Sequence, residues 1–324
     1  MRRFFVVPTI LALTAASAGA EPLANRLSEG WNSWIVPAVE DGGERCCYSW
    51  HGGTVREKGC ALDGGRGGFS AAQDGLDMGN EVQLFARLER GKVTKVRALS
   101  LSCPVSSDSG ITDLGRVDAG TSVAWLRQFL EQRSGLSSEA ISAVAAHDGD
   151  EAAGLLMDTA ESGRVFDHRK EAIFWIAQSR PVIASETVRQ LMFHDPSEDI
   201  REHAAFSLSQ SKVADRHQAL IRLGRTDASE QVRSQSWFWL AQTGAPEAES
   251  EIRRAIREDR SAKVRREAVF ALSQLPDDAG VDVLIDLLRD RRQDIKVREQ
   301  ALFWLAQSDS DEAIDAIDQL LGGG

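Results

Sequence analysis

The apolar and polar positions of the chain repeat at a fixed spacing over its C-terminal half. A short pattern, an aromatic residue followed by small or apolar residues and then a glutamine, occurs five times. Its glutamines are Gln178, Gln210, Gln242, Gln274 and Gln307, so the period is 32 in the first three intervals and 33 in the last. An arginine stands nine positions before each of them, at Arg169, Arg201, Arg233, Arg265 and Arg298. A period in this range predicts a solenoid of stacked helix pairs.

Each copy also reads as one amphipathic helix. With the arginine counted as position zero and about 100° of turn per residue, positions three, four and seven lie on one face. Position three is small in every copy, which lets a paired helix approach closely: Ala172, Ala204, Ser236, Ala268 and Ala301. Position five is always phenylalanine: Phe174, Phe206, Phe238, Phe270 and Phe303. Position six is tryptophan in alternate copies: Trp175, Trp239 and Trp304.

Partner helices are expected after each copy, roughly at 184–194, 213–223, 246–258, 277–289 and 310–321. A degenerate first pair is expected at 137–146 and 151–160, because the end of a solenoid has no neighbour to cover it. Residues 137–324 are therefore predicted to form about six helix pairs in an all-α, right-handed solenoid.

The segment 21–118 has a different character. Glycine-rich turns interrupt short runs, and 81–88 and 92–101 alternate like a hairpin that turns at Arg90-Gly91. Residues 34–39 and 46–50 are further strand candidates. We expect a small β-rich domain here, joined to the array by an amphipathic helix within 119–136.

Residues 1–20 have the composition of a secretory signal peptide. Arg2 and Arg3 precede a mostly apolar run, and Ala18-Gly19-Ala20 offers a cleavage site. The run is too short for a membrane anchor. The sequence therefore predicts an exported protein, periplasmic or extracellular, with no membrane anchor after cleavage.

All four cysteines, Cys46, Cys47, Cys60 and Cys103, precede the repeats. An even number in an exported chain predicts two disulfides. A bond between the adjacent Cys46 and Cys47 would be strained, so we expect one of them to pair with Cys60 and the other with Cys103. Which pairs with which stays open. A zinc site of thiolates with His51 is the alternative, although the spacing matches no familiar ligand pattern.

The net charge is −11, and cleavage of the signal peptide removes two arginines to leave −13. Such an acidic chain disfavours nucleic acid and anionic membrane surfaces as partners.

The spacing Asp195-x5-Arg201, repeated at Asp227–Arg233 and Asp259–Arg265, resembles that of HEAT repeats. It also resembles the HEAT-like units named after phycobilisome lyases. The resemblance covers about 137–321 and implies that each arginine begins an inner helix lining a concave face, while each aspartate ties successive repeats together. The chain departs from the pattern at Gly163, which stands where an aspartate belongs, and at Asp290, which one extra residue shifts out of register.

Two interpretations of the aromatic and glutamine stripe stay open. In the first, the phenylalanines fill the joints between repeats and the glutamines hydrogen-bond along them. In the second, the three tryptophans and five glutamines form the binding groove for a protein or peptide. We expect packing for the phenylalanines and consider binding for the tryptophans and glutamines.

The predicted function is a non-enzymatic interaction scaffold of the cell envelope that uses no cofactor. The chain contains no His-Glu dipeptide, unlike HEAT-repeat hydroxylases, which bind iron through such pairs, and no nucleophile signature. The alternative, taken from the lyase-like resemblance, is a protein that binds a tetrapyrrole-type ligand in the aromatic groove. Analogy of fold alone is a weak argument for it.

These interpretations differ in what two substitutions should do. Phe238→Ala is expected to cost about 3–5 kcal/mol of stability if the ring is buried. Gln242→Ala is expected to leave the melting temperature almost unchanged but to weaken a partner that uses the groove. Equal losses of stability in both variants, measured by thermal unfolding, would favour pure packing.

Overall fold

The computed structural model describes residues 21–40, 42–51, 54–64, 69–71, 80–131, 135–308 and 310–322. A β-rich N-terminal region is followed by an array of helices, which confirms the predicted fold class. The predicted signal peptide at 1–20 lies outside the described residues. Among the described residues, no helix is long and apolar enough to cross a membrane.

The described strands of the N-terminal region form three small sheets. They follow a short helix, α1 (Leu23–Arg26), and are β1 (Gly30–Pro37), β2 (Arg45–His51), β3 (Thr54–Lys58), β4 (Cys60–Ala61), β5 (Phe69–Ala71), β6 (Glu81–Glu89), β7 (Lys92–Ser100), β8 (Val105–Ser106) and β9 (Ile111–Arg116). The sheet orders are β7-β6-β1-β9, β3-β2-β5 and β4-β8. The predicted hairpin is β6–β7, and its turn residues Arg90 and Gly91 have φ of 53° and 71°. Positive φ at both positions matches the twist of the flanking strands.

The helices after the sheet form two rows. A connecting helix, α2 (Ala119–Leu130), leads into them. The inner row is α3 (Ser137–Ala146), α5 (Phe166–Ser179), α8 (Glu198–Ser209), α10 (Glu230–Gln242), α12 (Ala262–Ser273) and α14 (Ile295–Leu305). The outer row is α4 (Asp150–Ser162), α6 (Pro181–Ile183) continuing through a π-helical turn (Ala184–Val188) into α7 (Arg189–His194), α9 (Arg216–Thr226), α11 (Ala248–Glu258), α13 (Val281–Arg289) and α15 (Asp311–Gly322). A 3₁₀ turn at Pro276–Asp278 precedes α13. The described helices thus make six inner–outer pairs.

Close approach between helices follows from the small residue at position three. All five of these residues, from Ala172 to Ala301, are fully buried. Each inner helix packs against the next inner helix and against the outer helices beside it. One continuous apolar core therefore runs from the sheet to the end of the array.

Buried ion pairs join successive repeats. The Nε and Nη2 atoms of Arg201 donate to the Asp227 carboxylate at 2.8 and 3.0 Å, and those of Arg233 donate to Asp259 at 2.9 and 3.0 Å. Arg169 pairs with Asp195 through Nη2 alone, and its Nε donates to the backbone oxygen of Ala160 at 2.8 Å. The remaining Nη1 of Arg233 donates to the backbone oxygen of Asp227, at the start of its own repeat. Each arginine therefore bridges two consecutive inter-helix turns.

These three arginine–aspartate pairs, here called the ion-pair ladder, are not continued where the sequence departs from its own period. Arg265 donates to the backbone oxygen of Asp259, but Asp290 instead pairs with its neighbour Arg292. Arg298 donates to the backbone oxygen of Leu288. The extra residue before the last inner helix therefore leaves the final joint without a carboxylate bridge among the described residues.

The large sheet packs directly on the array through a buried polar relay. The indole Nε1 of Trp34 (β1) donates to the Ser122 hydroxyl (α2) at 2.8 Å, and that hydroxyl lies 2.8 Å from Nε2 of His147. The other ring nitrogen of His147 lies 2.8 Å from the backbone oxygen of Ala143. Because this second nitrogen donates to a carbonyl, Nε2 of the neutral ring accepts from Ser122. The relay joins a strand and two helices.

The opposite face of the sheet covers a second, smaller core that holds the disulfides. Cys46 is bonded to Cys103 and Cys47 to Cys60, which resolves the pairing that the sequence left open. Three of the four sulfurs are buried beside Trp31 and Phe85. The β-rich region is thus held both by its bridges and by the core that it shares with α2 and α3.

The first stability prediction concerns the ion-pair ladder. Arg233 is 2% exposed, so Arg233→Met is expected to cost about 3–5 kcal/mol by leaving the carboxylate of Asp259 buried and unpaired. The matched control is Arg254→Met, because the side chain of Arg254 is 52% exposed in its pair with Glu258. That change is expected to leave the free energy of unfolding almost unchanged, because an exposed ion pair contributes little. Chemical denaturation of both variants checks the difference, and similar costs would contradict it.

The second stability prediction concerns pH. Burial lowers the pKa of His147 from 6.5 to about 4, and the charges of Arg180 and Arg45 act in the same direction. The unfolded chain therefore binds this proton first, so the stabilisation is present above about pH 6.5 and is lost as the pH falls toward 4. The expected loss is about 3 kcal/mol.

The control is His147→Gln, which does not titrate. Its free energy of unfolding should fall less steeply between pH 7 and pH 4 than that of the unsubstituted chain. Parallel curves for the two proteins would contradict the assignment to His147.

Candidate interaction groove

The aromatic residues of the inner helices form one continuous series of ring contacts, here called the aromatic ladder. It is made of Trp175, Phe174, Phe206, Trp239, Phe238, Phe270, Trp304 and Phe303, in that order. The centroid distances between successive rings range from 4.7 Å to 6.1 Å. Rings at such distances interact favourably beyond the area that they bury.

Two kinds of contact alternate along the aromatic ladder. Phe174 stacks on Phe206 at an interplanar angle of 12°, and Phe238 stacks on Phe270 at 16°. At the other joints a phenylalanine meets the tryptophan of the next repeat at 4.8 Å, namely Phe206 with Trp239 and Phe270 with Trp304. The ladder therefore repeats every two helix pairs, as the tryptophans do in the sequence.

The glutamines follow the same alternation beside the rings. Gln178 Nε2 lies 3.3 Å from the backbone oxygen of Gln210, and Gln242 Nε2 lies 3.4 Å from that of Gln274. The amides of Gln210 and Gln274 instead donate to the neighbouring serine hydroxyls at 3.1 and 3.2 Å. Gln210, Gln242 and Gln307 are exposed. Their side chains lie within reach of a partner.

The phenylalanines and tryptophans of the aromatic ladder have similar exposure. All three tryptophans are half-buried and pack against the continuous core. Phe174, Phe206, Phe238 and Phe270 are also half-buried, and Phe303 is 52% exposed. The phenylalanines stack across the joints, but they do so at the surface of the inner row. Both ring types therefore contribute to one half-exposed apolar strip.

The half-burial of Phe238 lowers the cost expected for its removal. The range of about 3–5 kcal/mol applies to a ring buried in a core. Gln242 makes one long hydrogen bond from an exposed position, so its removal still predicts almost no change in stability.

The aromatic ladder has one further neighbour that no sequence pattern indicated. Arg45, from strand β2, places its guanidinium carbon 4.7 Å from the ring centroid of Trp175, at the N-terminal end of the aromatic ladder. A guanidinium over an indole face is attracted to it electrostatically. No periodic signal marks Arg45, because it lies outside the repeats.

The candidate metal ligands are committed to covalent bonds. Among the described residues, the sulfurs of Cys46, Cys60 and Cys103 form a group within 4.8 Å of one another. All four cysteines are in disulfides, which leaves no free thiol. The alternative of a thiolate zinc site is therefore wrong for this oxidised state. The side chain of His51 lies outside the described residues.

Comparison with known protein families identifies the repeats. The family model of HEAT repeats matches residues 218–296, which include helices α10 to α13. No curated protein matches the chain significantly. The matched segment lies within the two-row helix array and supports the prediction that this array consists of HEAT-like repeats.

Two solved structures are similar to the chain at low identity. One is YibA of Escherichia coli, with 21% identity over 61% of this chain and 81% of that one, at a TM-score of 0.37. The other is human deoxyhypusine hydroxylase in complex with glycerol, with 15% identity over 62% of this chain and 89% of that one, at a TM-score of 0.28.

Proposed function

We propose that the protein is a non-enzymatic scaffold of the cell envelope that binds an extended protein segment along its aromatic ladder. The observation that carries the proposal is the continuity of the half-exposed rings across five inner helices. Packing within a joint requires contact between neighbouring repeats. It does not require rings that stay partly open to solvent along the whole row. Aromatic residues beside polar groups are typical of the energetically dominant part of an interface.

The size of the ladder indicates an extended ligand. Packed helices lie about 8–10 Å apart, so the five inner helices of the ladder extend over about 32–40 Å. A strand rises about 3.3 Å per residue, so a segment of about 10–12 residues would cover the rings. The exposed glutamine amides would supply hydrogen bonds to its backbone.

The envelope location rests on the sequence and on the disulfides. Two disulfide bridges suit an oxidising compartment. Residues 1–20 read as a signal peptide, and the acidic charge disfavours nucleic acid as a partner. The tetrapyrrole-type alternative rests on the repeat resemblance alone. Visible absorbance of the purified protein would favour that alternative.

Site-specific photocrosslinking tests the groove. A photoreactive residue is placed at Gln242 beside the rings, and in a second protein at Gln190 on the outer helix α7. In native envelope extract, the Gln242 probe is expected to capture a defined partner that the Gln190 probe does not. Trp239→Ala in the Gln242 probe should reduce this yield at least severalfold, because it removes the central anchor.

The matched control is Phe193→Ala, which removes an aromatic ring from the outer helix α7. It should leave the yield from the Gln242 probe unchanged, and both variants should be shown to be folded by circular dichroism. Recovery of the same partners in the same yield after Trp239→Ala would contradict the proposal.

A further inference from the structure

The first repeat has no rings, and Arg45 takes the place of one. The repeat period places Ser142 in the position of Phe174 and Ala143 in that of Trp175. The guanidinium of Arg45 donates from Nη1 to the backbone oxygen and the hydroxyl of Ser142, at 2.9 and 3.1 Å. The guanidinium carbon lies 4.7 Å from the Trp175 ring centroid, close to the 4.8 Å that separates the rings of Phe206 and Trp239 and those of Phe270 and Trp304. The aromatic ladder therefore begins with a cation where a ring is missing.

One edge of this guanidinium has no hydrogen-bond acceptor. The Nε and Nη2 atoms of Arg45 are buried and unpaired among the described residues, and the whole side chain is 2% exposed. Arg201 and Arg233 use the same two atoms to hold a carboxylate in two parallel hydrogen bonds. Buried donors without a partner are rare in folded proteins, and each requires an explanation.

Arg45 keeps its charge in this position. Burial, and next the nearby charge of Arg180, lower the pKa of Arg45 to about 10. The group is thus protonated at neutral pH, and no ion pair of Arg45 occurs among the described residues. A buried cation of this kind gains most from an acceptor that is itself charged.

We propose that the free edge of Arg45 binds the C-terminal carboxylate of the peptide segment that lies along the aromatic ladder. This inference rests on the proposed function. It sets the direction of the peptide, with its C-terminus at the β-rich region and its preceding residues running toward Phe303.

The position of Arg45 favours a chain terminus over an internal acidic residue. Strand β2 brings Arg45 over both α3 and α5, so it crosses the line of the ladder where the rings stop. The next inner helix, α3, is already packed against β7. A segment that reached Arg45 would therefore have no rings to follow beyond it. Because Nε and Nη2 are shielded from solvent, the carboxylate must part the contact between β2 and α5 to reach them.

The experiment uses pools of synthetic peptides of about twelve residues, the length that covers the ladder. Each pool is made in three forms. The first ends in a free C-terminal carboxylate, the second ends in a C-terminal amide, and the third ends in an aspartate whose own C-terminus is an amide. Peptides retained by the intact protein are identified by mass spectrometry, and their affinities are measured individually. We expect the free acid of a retained peptide to bind at least about tenfold more tightly than its amide.

Arg45→Met should abolish this preference, because methionine keeps an apolar chain over Trp175 but offers no donor. Arg45→Lys keeps the charge but cannot donate two parallel hydrogen bonds, so it should retain only part of the preference for the free acid over the amide. Ser142→Ala leaves Nε and Nη2 intact, so the preference should persist. The thermal stability of each variant shows whether it is folded, and the acid-to-amide ratio remains informative if Arg45→Met lowers stability.

The outcomes separate this inference from the proposed function. If no pool yields a peptide whose binding depends on Trp239, the proposed function fails, and this inference with it. If peptides bind through Trp239 but acid and amide are equal, the groove stands and the role of Arg45 is overturned. Equal binding by the aspartate-ended amide would overturn the assignment to a chain terminus.

A last control asks whether the chain itself supplies the acceptor. Asp74 and Asp77 follow strand β5, whose Ala71 is paired with Arg45. The double variant Asp74→Asn/Asp77→Asn is expected to leave the thermal stability unchanged. A loss as large as that of Arg45→Met would show that an internal carboxylate serves this edge, and it would overturn the proposal.

Discussion

The bridge from the arginine of one repeat to the aspartate of the next, made at three consecutive joints, is the interaction on which the array depends. Arg233 binds the backbone at the start of its own repeat and the carboxylate at the start of the following one. This double attachment holds adjacent inner helices in one relative orientation. The small residue at position three lets those helices approach, and the buried ion pair keeps them in register. With the scaffold held in this way, the side chains on its open edge recur at a constant offset, so that the rings can touch.

Much of this arrangement was predictable from the sequence, because residues that recur at a fixed spacing identify positions with the same structural role. The inner helices begin and end close to the expected residues, since arginine, phenylalanine and glutamine recur in each. The outer helices were also placed close to their observed bounds, as in 246–258 against Ala248–Glu258 and 213–223 against Arg216–Thr226. The hairpin of β6 and β7 was found from alternation and from Arg90-Gly91, a turn with a known backbone requirement.

What could not be predicted depends on contacts between distant parts of the chain. A helical projection gives the angle of Phe238 and Trp239, but the neighbouring repeat decides which ring meets the core. Four cysteines allow three pairings, and only the packing of β2 against its neighbours selects one. Arg45 and Ser142 are 97 residues apart, and Arg45 belongs to no repeat. Its place at the end of the ladder follows from the docking of the β-rich region on α3.

The residues that join the helices of the array and the aromatic residues on its surface recur with different periods. The small residue at position three recurs with every full repeat, and the Arg–Asp bridge recurs at three consecutive joints. Tryptophan recurs with every second repeat, and the ring contacts and glutamine hydrogen bonds alternate with it. The joint after Phe206 has the same Arg–Asp bridge as the joint after Phe238, so the ion pairs do not account for this doubling. Two repeats extend over about 16–20 Å, the length of about five or six residues of an extended chain. A doubled period is therefore what a surface would show if a bound segment placed an anchoring side chain at each tryptophan, with Arg45 at the end of the series.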